Sequence, residues 1–177
     1  VYPIQFDHIL HMKTTCTNGH VVYYECRGCV FISDLTPCEV RRLTFVAEGP
    51  PLATAAVVAD GLGLTNGVVS LTAHANGTID LTDRRSGTTF AGLHTFVHES
   101  DIGGGYHFER PPEGKRRDSL AGAATCRVLQ AGPLRGVLEI VTPLTVPAAY
   151  DRETGQCVGE RTLSFTTRFT VEAGSPL

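Results

Sequence analysis

Cys16, His20, Cys26, Cys29 and Cys38 bring thiols and an imidazole into one short span. Cys26-x-x-Cys29 has the spacing of half a zinc knuckle, because two thiolates from one tight turn can reach a single tetrahedral ion. The second half is poor, since Cys16 and Cys38 stand singly. Small thiols also fill strand cores, and the cysteines read as reduced structural residues. His8 and His11, beside Asp7, would share a face only on a helix. Nothing there signals a helix, so they read as surface histidines. Glu99 and Asp101 would share a face of one strand, with Glu109 further on. A glycosidase needs two carboxylates facing each other across the sugar, about 5 to 10 Å apart. A pair from a single strand cannot easily straddle a bond, so catalysis by this pair is not expected. The remaining constellation is "DIGGGYHFERP", from Asp101 to Pro111. A glycine-rich approach lets backbone come close to a ligand. A tyrosine ring covers an apolar sugar face while its hydroxyl reaches the rim, and an aspartate can accept several hydroxyl bonds. Spacing alone leaves two readings equal: a sugar-facing loop, or a hairpin with Tyr106 and Phe108 packed beneath a sheet.

These residues must be positioned by strands. Alternation of period two dominates the chain. "VVSLTAH" (Val68 to His74) and "TIDLTD" (Thr78 to Asp83) flank Ala75-Asn76-Gly77, a strong short hairpin signal. Arg85-Ser86-Gly87 turns into a third strand, Thr88 to Val97. "AATCRVLQAG" and "RGVLEIVTPLTV" flank Gly132-Pro133, and "ERTLSFTTRFTVEAG" follows a turn at Asp151 to Gly155. "HVVYYECRGCVFI" suggests a strand pair around Arg27-Gly28, and "EVRRLTFVAEG" another strand. "PPLATAAVVADG" is the best helix candidate, but it is short, β-branched and equally readable as an extended linker. The expected fold is an all-β, antiparallel β-sandwich. A Cys-rich β segment would occupy residues 1–49 and the sandwich domain residues 50–177.

Composition narrows the function classes. The 177 residues carry a formal net charge of −3, which argues against a nucleic-acid partner. Lys115-Arg116-Arg117 reads as a solvated loop. No run approaches the roughly 18 to 20 apolar residues of a membrane helix, so no membrane partner is expected. The start lacks a signal-peptide pattern and a Met, and the end stops just after a strand. An excised piece with a truncated sandwich is therefore expected, and its unpaired edge strands should seek a partner or a second copy. Reduced thiols suggest a cytoplasmic location, and the Ala-, Arg-, Thr- and Val-rich usage suggests a bacterial source.

The motif order resembles that at the start of the C-terminal β domain of family 38 glycoside hydrolases, the α-mannosidases. Asn66-Gly67 steps into a strand, Asn76-Gly77-Thr78 forms a hairpin, and Asp83-Arg84-Arg85-Ser86-Gly87 a turn. The glycine-rich Asp101–Pro111 stretch follows, then "AGPLRGVLEI". The resemblance covers about residues 41 to 177, with "RRLTFVAEGPPLATAAV" as its lead-in; residues 1 to 40 match nothing in it. The family stretch carries more acids, and Gly104 and His98 stand where Asp is common. The resemblance implies a galactose-mutarotase-like super-sandwich. It implies a zinc-dependent parent whose ligands and nucleophile lie in an absent catalytic domain, with no cofactor in this chain. It implies a non-catalytic role: completing a cleft for a mannoside-like carbohydrate and stabilising the catalytic domain. Tyr106 maps to the family's sugar-proximal tyrosine, and Asp101 to the acid before it. His107 stands with them as a substrate-binding candidate. The alternatives are a free-standing carbohydrate-binding or interaction module, and an epimerase-like enzyme using His107 with Glu109.

Overall fold

The computed structural model describes residues 4–14, 21–30, 36–42, 44, 57–103, 105–112 and 116–174, with only the backbone described for 4–14 and 21–30. The first two strands, β1 (Ile4–Thr14) and β2 (Val21–Val30), pair antiparallel with three irregularities in register. The turn expected at Arg27-Gly28 is absent, because β2 runs unbroken through both residues. Cys26 and Cys29 therefore lie in extended backbone, not in the tight turn that half a zinc knuckle needs. Cys16 and His20 lie outside the described residues. Residues 39–42 and 44 carry no strand, although β-branched and apolar residues there predicted one; 43 and 45–49 lie outside the described residues. The boundary expected near residues 49 and 50 also falls outside them.

From residue 57 onward the chain builds two facing sheets. A five-stranded meander comprises β3 (Val58–Asp60), β4 (Gly63–Thr65), β5 (Val69–Ala73), β6 (Ile79–Asp83) and β7 (Thr88–Leu93), in sequence order. A two-residue pair, β8 (Val97–His98) with β9 (Arg117–Asp118), follows. The second sheet is β10 (Thr125–Ala131), β11 (Arg135–Asp151) and β12 (Gln156–Glu172). Asn76 makes the hairpin between β5 and β6. Its Oδ1 accepts from the Thr78 N–H at 3.1 Å and from the Thr78 hydroxyl at 2.8 Å. The expected third strand ends early. His94 adopts φ 67°, which breaks the ladder after Leu93.

Period-two alternation decides which residues meet. Val69, Leu71 and Ala73 of β5 and Ile79 of β6 point inward, as do Leu138 and Ile140 of β11 and Val171 of β12. Together with Val57, Leu64, Leu134 and Ala173 they form one core between the sheets, so the fold is an antiparallel β-sandwich. Gly136 lets the layers close. A β-carbon there would sit 2.9 Å from Leu64 Cδ2 and 3.0 Å from Val57 Cγ1. At one side of the sandwich, His94 Nδ1 donates to the Gly77 carbonyl at 2.8 Å. The carbonyl can only accept, so Nε2 accepts from the Thr167 hydroxyl, also at 2.8 Å. The same ring lies edge-on to Phe96 and Phe169. Cys38, Cys126 and Cys157 are free thiols.

Two substitutions test this packing. Gly136→Ala is expected to cost about 1 to 3 kcal/mol through overpacking between the layers. Gly105→Ala, which meets nothing within 4 Å, should leave the urea midpoint nearly unchanged. Thr142 is fully buried and its hydroxyl has no hydrogen-bond partner among the described residues. Thr142→Val should therefore raise the midpoint, with a gain in stability of about 1 kcal/mol. A fall in the midpoint for Thr142→Val would show that the hydroxyl is satisfied.

Candidate functional site

The glycine-rich stretch is a loop drawn closed at its base. Asp101 Oδ1 accepts from the Gly103 N–H at 2.8 Å and from the Glu109 N–H at 3.0 Å. The Ile102 N–H donates to the Glu109 carbonyl at 2.9 Å. Arg110 Nη2 donates to Glu99 Oε2 at 2.7 Å, one step further down the stem. Glycine is required at 103 because a β-carbon would collide with the His107 carbonyl. The two amides, Glu109 most of all, hold the Asp101 carboxyl below the usual aspartate range. One carboxylate oxygen thus serves the loop itself, and Oδ2 has no partner among the described residues.

The aromatic residues face outward. Tyr106 is 96% exposed and Phe108 59% exposed, so the packed hairpin reading fails. His107 is also exposed, and Gly104 lies outside the described residues. The loop therefore brings Asp101, Tyr106 and His107 into one closed segment without converging their side chains on a pocket. Glu109 is exposed, and its backbone is occupied in closing the loop.

Beneath the loop stem is a small cavity of about 160 Å3. His98, Ser100 and Asp101 line it from the stem, and Tyr150 and Cys157 from the far end of the β11–β12 hairpin. The Cys157 thiol donates to Ser100 Oγ at 3.5 Å, and that hydroxyl lies 3.3 Å from His98 Nε2. The volume is below the roughly 300 Å3 at which ligand pockets begin, so a sugar ring would have to lie on the open face of the loop. Tyr150 and Cys157 were not among the sequence candidates. They are register partners across the hairpin, and no local motif marks them. Among the described residues, no three His, Cys, Asp or Glu side chains are grouped to hold a metal ion.

The closure has a pH signature. Because folding depresses the Asp101 pKa, its contribution is complete above the ordinary value of 3.8 and is lost as pH falls through the lower folded value. The protection of the Gly103 and Glu109 amides, taken relative to their intrinsic exchange rates at each pH, should fall on that acid limb. At neutral pH, Asp101→Ala should speed exchange at both by about tenfold or more, and unchanged protection would dismiss the clasp.

No family model matches the chain. A protein of Halalkalibacterium halodurans named "Putative mannosylglycerate hydrolase" is 26% identical over 127 residues, covering 63% of this chain and 14% of that protein. An α-mannosidase structure from Enterococcus faecalis V583 superposes with TM-score 0.63 and 23% identity, over 67% of this chain and 15% of its own. A family 38 glycosyl hydrolase structure from Enterococcus faecalis gives TM-score 0.64 and 22% identity, over 77% of this chain and 18% of its own. The chain thus spans less than one fifth of the length of these relatives. Its fold is that of a β-sandwich portion of family 38 glycoside hydrolases, the family its motif order resembles.

Proposed function

We propose that this chain is the non-catalytic sandwich portion of an α-mannosidase-like glycoside hydrolase. It would complete a carbohydrate cleft formed with a catalytic domain and stabilise that domain. The observation that carries the reading is Tyr106, 96% exposed at the tip of a loop whose base is fixed by Asp101 and the Glu99–Arg110 pair. An exposed aromatic ring on a rigid support offers a stacking surface at little entropic cost. His107, next to it, would hydrogen-bond a hydroxyl. Asp101 would act mainly by holding the loop, with Oδ2 left to accept from sugar.

The hydrolytic chemistry is assigned elsewhere. Glu99 pairs with Arg110 and one Asp101 oxygen closes the loop, while the exposed Glu109 carboxylate takes no part in either contact. The three carboxylates sit on one loop stem and do not face each other across a bond as an acid and nucleophile must. A resident zinc would belong to the parent's catalytic domain and supply Lewis-acid chemistry there. The edge strands β7 and β12 are largely exposed along their length, and a covering catalytic domain, or a second copy, would protect them. The free thiols fit a reducing, cytoplasmic setting.

Kinetics would test this. In the full-length enzyme, Tyr106→Ala should lower kcat/KM on an aryl α-mannoside by about tenfold, mostly through KM. The isolated chain should show no turnover. Robust turnover by the chain alone would overturn the non-catalytic assignment. Unchanged kinetics for Tyr106→Ala would remove the loop from the cleft. Tight mannoside binding by the chain alone would favour a free-standing carbohydrate-binding module.

A further inference from the structure

The outer face of the β10–β11–β12 sheet carries an arrangement that the fold does not require. Register aligns Arg127, Glu139 and Arg168 in one rung across the three strands. Gln130, Val137 and Thr170 form the next rung, and Arg135 and Glu172 the one beyond. Glu139 is only 3% exposed. Arg127 meets its Oε1 through Nε at 2.8 Å and Nη2 at 2.6 Å, and Arg168 donates Nε to Oε2 at 2.8 Å. Both arginine side chains nevertheless remain about two-thirds exposed, at 65% and 64%.

One guanidinium would neutralise one carboxylate. A second adds like-charge repulsion and a further desolvation cost, so pairing Glu139 does not account for it. With both carboxylate oxygens engaged, Arg168 is fixed in place while the rest of its fork stays open to solvent. Beside it lies a concavity of about 670 Å3, within the size range of small-molecule sites. Thr170 supplies a hydroxyl there and Gln130 its amide N–H2, since Gln130 Oε1 already accepts from Arg135 Nε at 2.9 Å, and Leu129 and Val137 supply apolar surface. Three arginines face two carboxylates on this patch, which leaves one positive charge in excess. Glu172 marks the end from which an anion would be repelled.

We propose that this face binds a small hydroxylated carboxylate, such as a sugar acid. Arg168 would receive the carboxylate, Gln130 and Thr170 the hydroxyls, and Arg127 would reinforce the field. The site is independent of the Tyr106 loop, so either can fail without the other.

The experiment titrates the full-length protein with glucuronate, glucose and inorganic phosphate by calorimetry and by NMR at low ionic strength. Glucuronate should bind, more weakly as salt rises, and glucose should give no detectable binding. Arg168→Met should weaken glucuronate by about tenfold or more. Arg168→Lys should be intermediate, because it keeps the charge and loses the fork. Thr170→Val should also weaken binding while leaving the ion cluster intact, which keeps the test valid if Arg168→Met fails to fold. Equal binding of glucuronate and glucose, or no glucuronate binding at tens of millimolar, would overturn the site. Phosphate binding tighter than glucuronate would overturn the ligand class. A folded Arg168→Met with unchanged affinity would remove Arg168 from it.

Discussion

Every other feature of this domain depends on the inner face of β11. Leu138, Ile140, Thr142, Leu144 and Val146 lie at steps of two along it and are all buried. Leu138 and Ile140 of this row meet the inward residues of β5 and β6, and the near approach of Gly136 to Leu64 and Val57 brings the layers together. A sandwich has no other source of stability of comparable size, because burial of apolar area is its main favourable term. Once β11 is seated, the register of β10 and β12 follows, and a one-residue slip would expose the entire row.

The same strand determines what each outer surface can do. Odd-numbered positions early in β11 project to the far side, which is why Glu139 falls between Arg127 and Arg168. The strand then continues past the five-stranded sheet to Asp151, carried by a turn in which the Gly155 N–H donates to the Asp151 carbonyl at 2.9 Å. That extension brings Tyr150 and Cys157 under the stem of the glycine-rich loop. The loop's base, its small cavity and the arginine face are thus consequences of one long hairpin.

In the loop, the polar groups work inward and the aromatic groups outward. Asp101, Glu99 and Arg110 spend their hydrogen bonds on closing the segment. Tyr106 gains almost no cover from it, and Phe108 remains 59% exposed. Ordering a loop has an entropic cost that packing normally offsets. Here the carboxylate clasp offsets it, and the rings are left available to another surface.

The sequence by itself determined the strands that alternate cleanly, because a period of two is imposed locally by the pleat. β5, β6, the Asn76-Gly77 hairpin and the Asp151–Gly155 turn lie where the residues indicated, and the sandwich class follows from them. The motif order around Asp101 was also legible, and it pointed to the family whose fold the chain shares. Elsewhere local signals misled. Arg27-Gly28 looked like a turn and is continuous strand, since pairing with β1 outweighs a single glycine. The strand read through Thr88 to Val97 stops at Leu93 because His94 takes a left-handed φ and bridges to Gly77 and Thr167. Only the tertiary structure decided that Asp101 clasps its own loop, that Tyr106 points away from the core, and that Tyr150 and Cys157 join His98 and Ser100. The last of these links Cys157 to Ser100 across 57 positions of sequence, a separation over which no local pattern carries information.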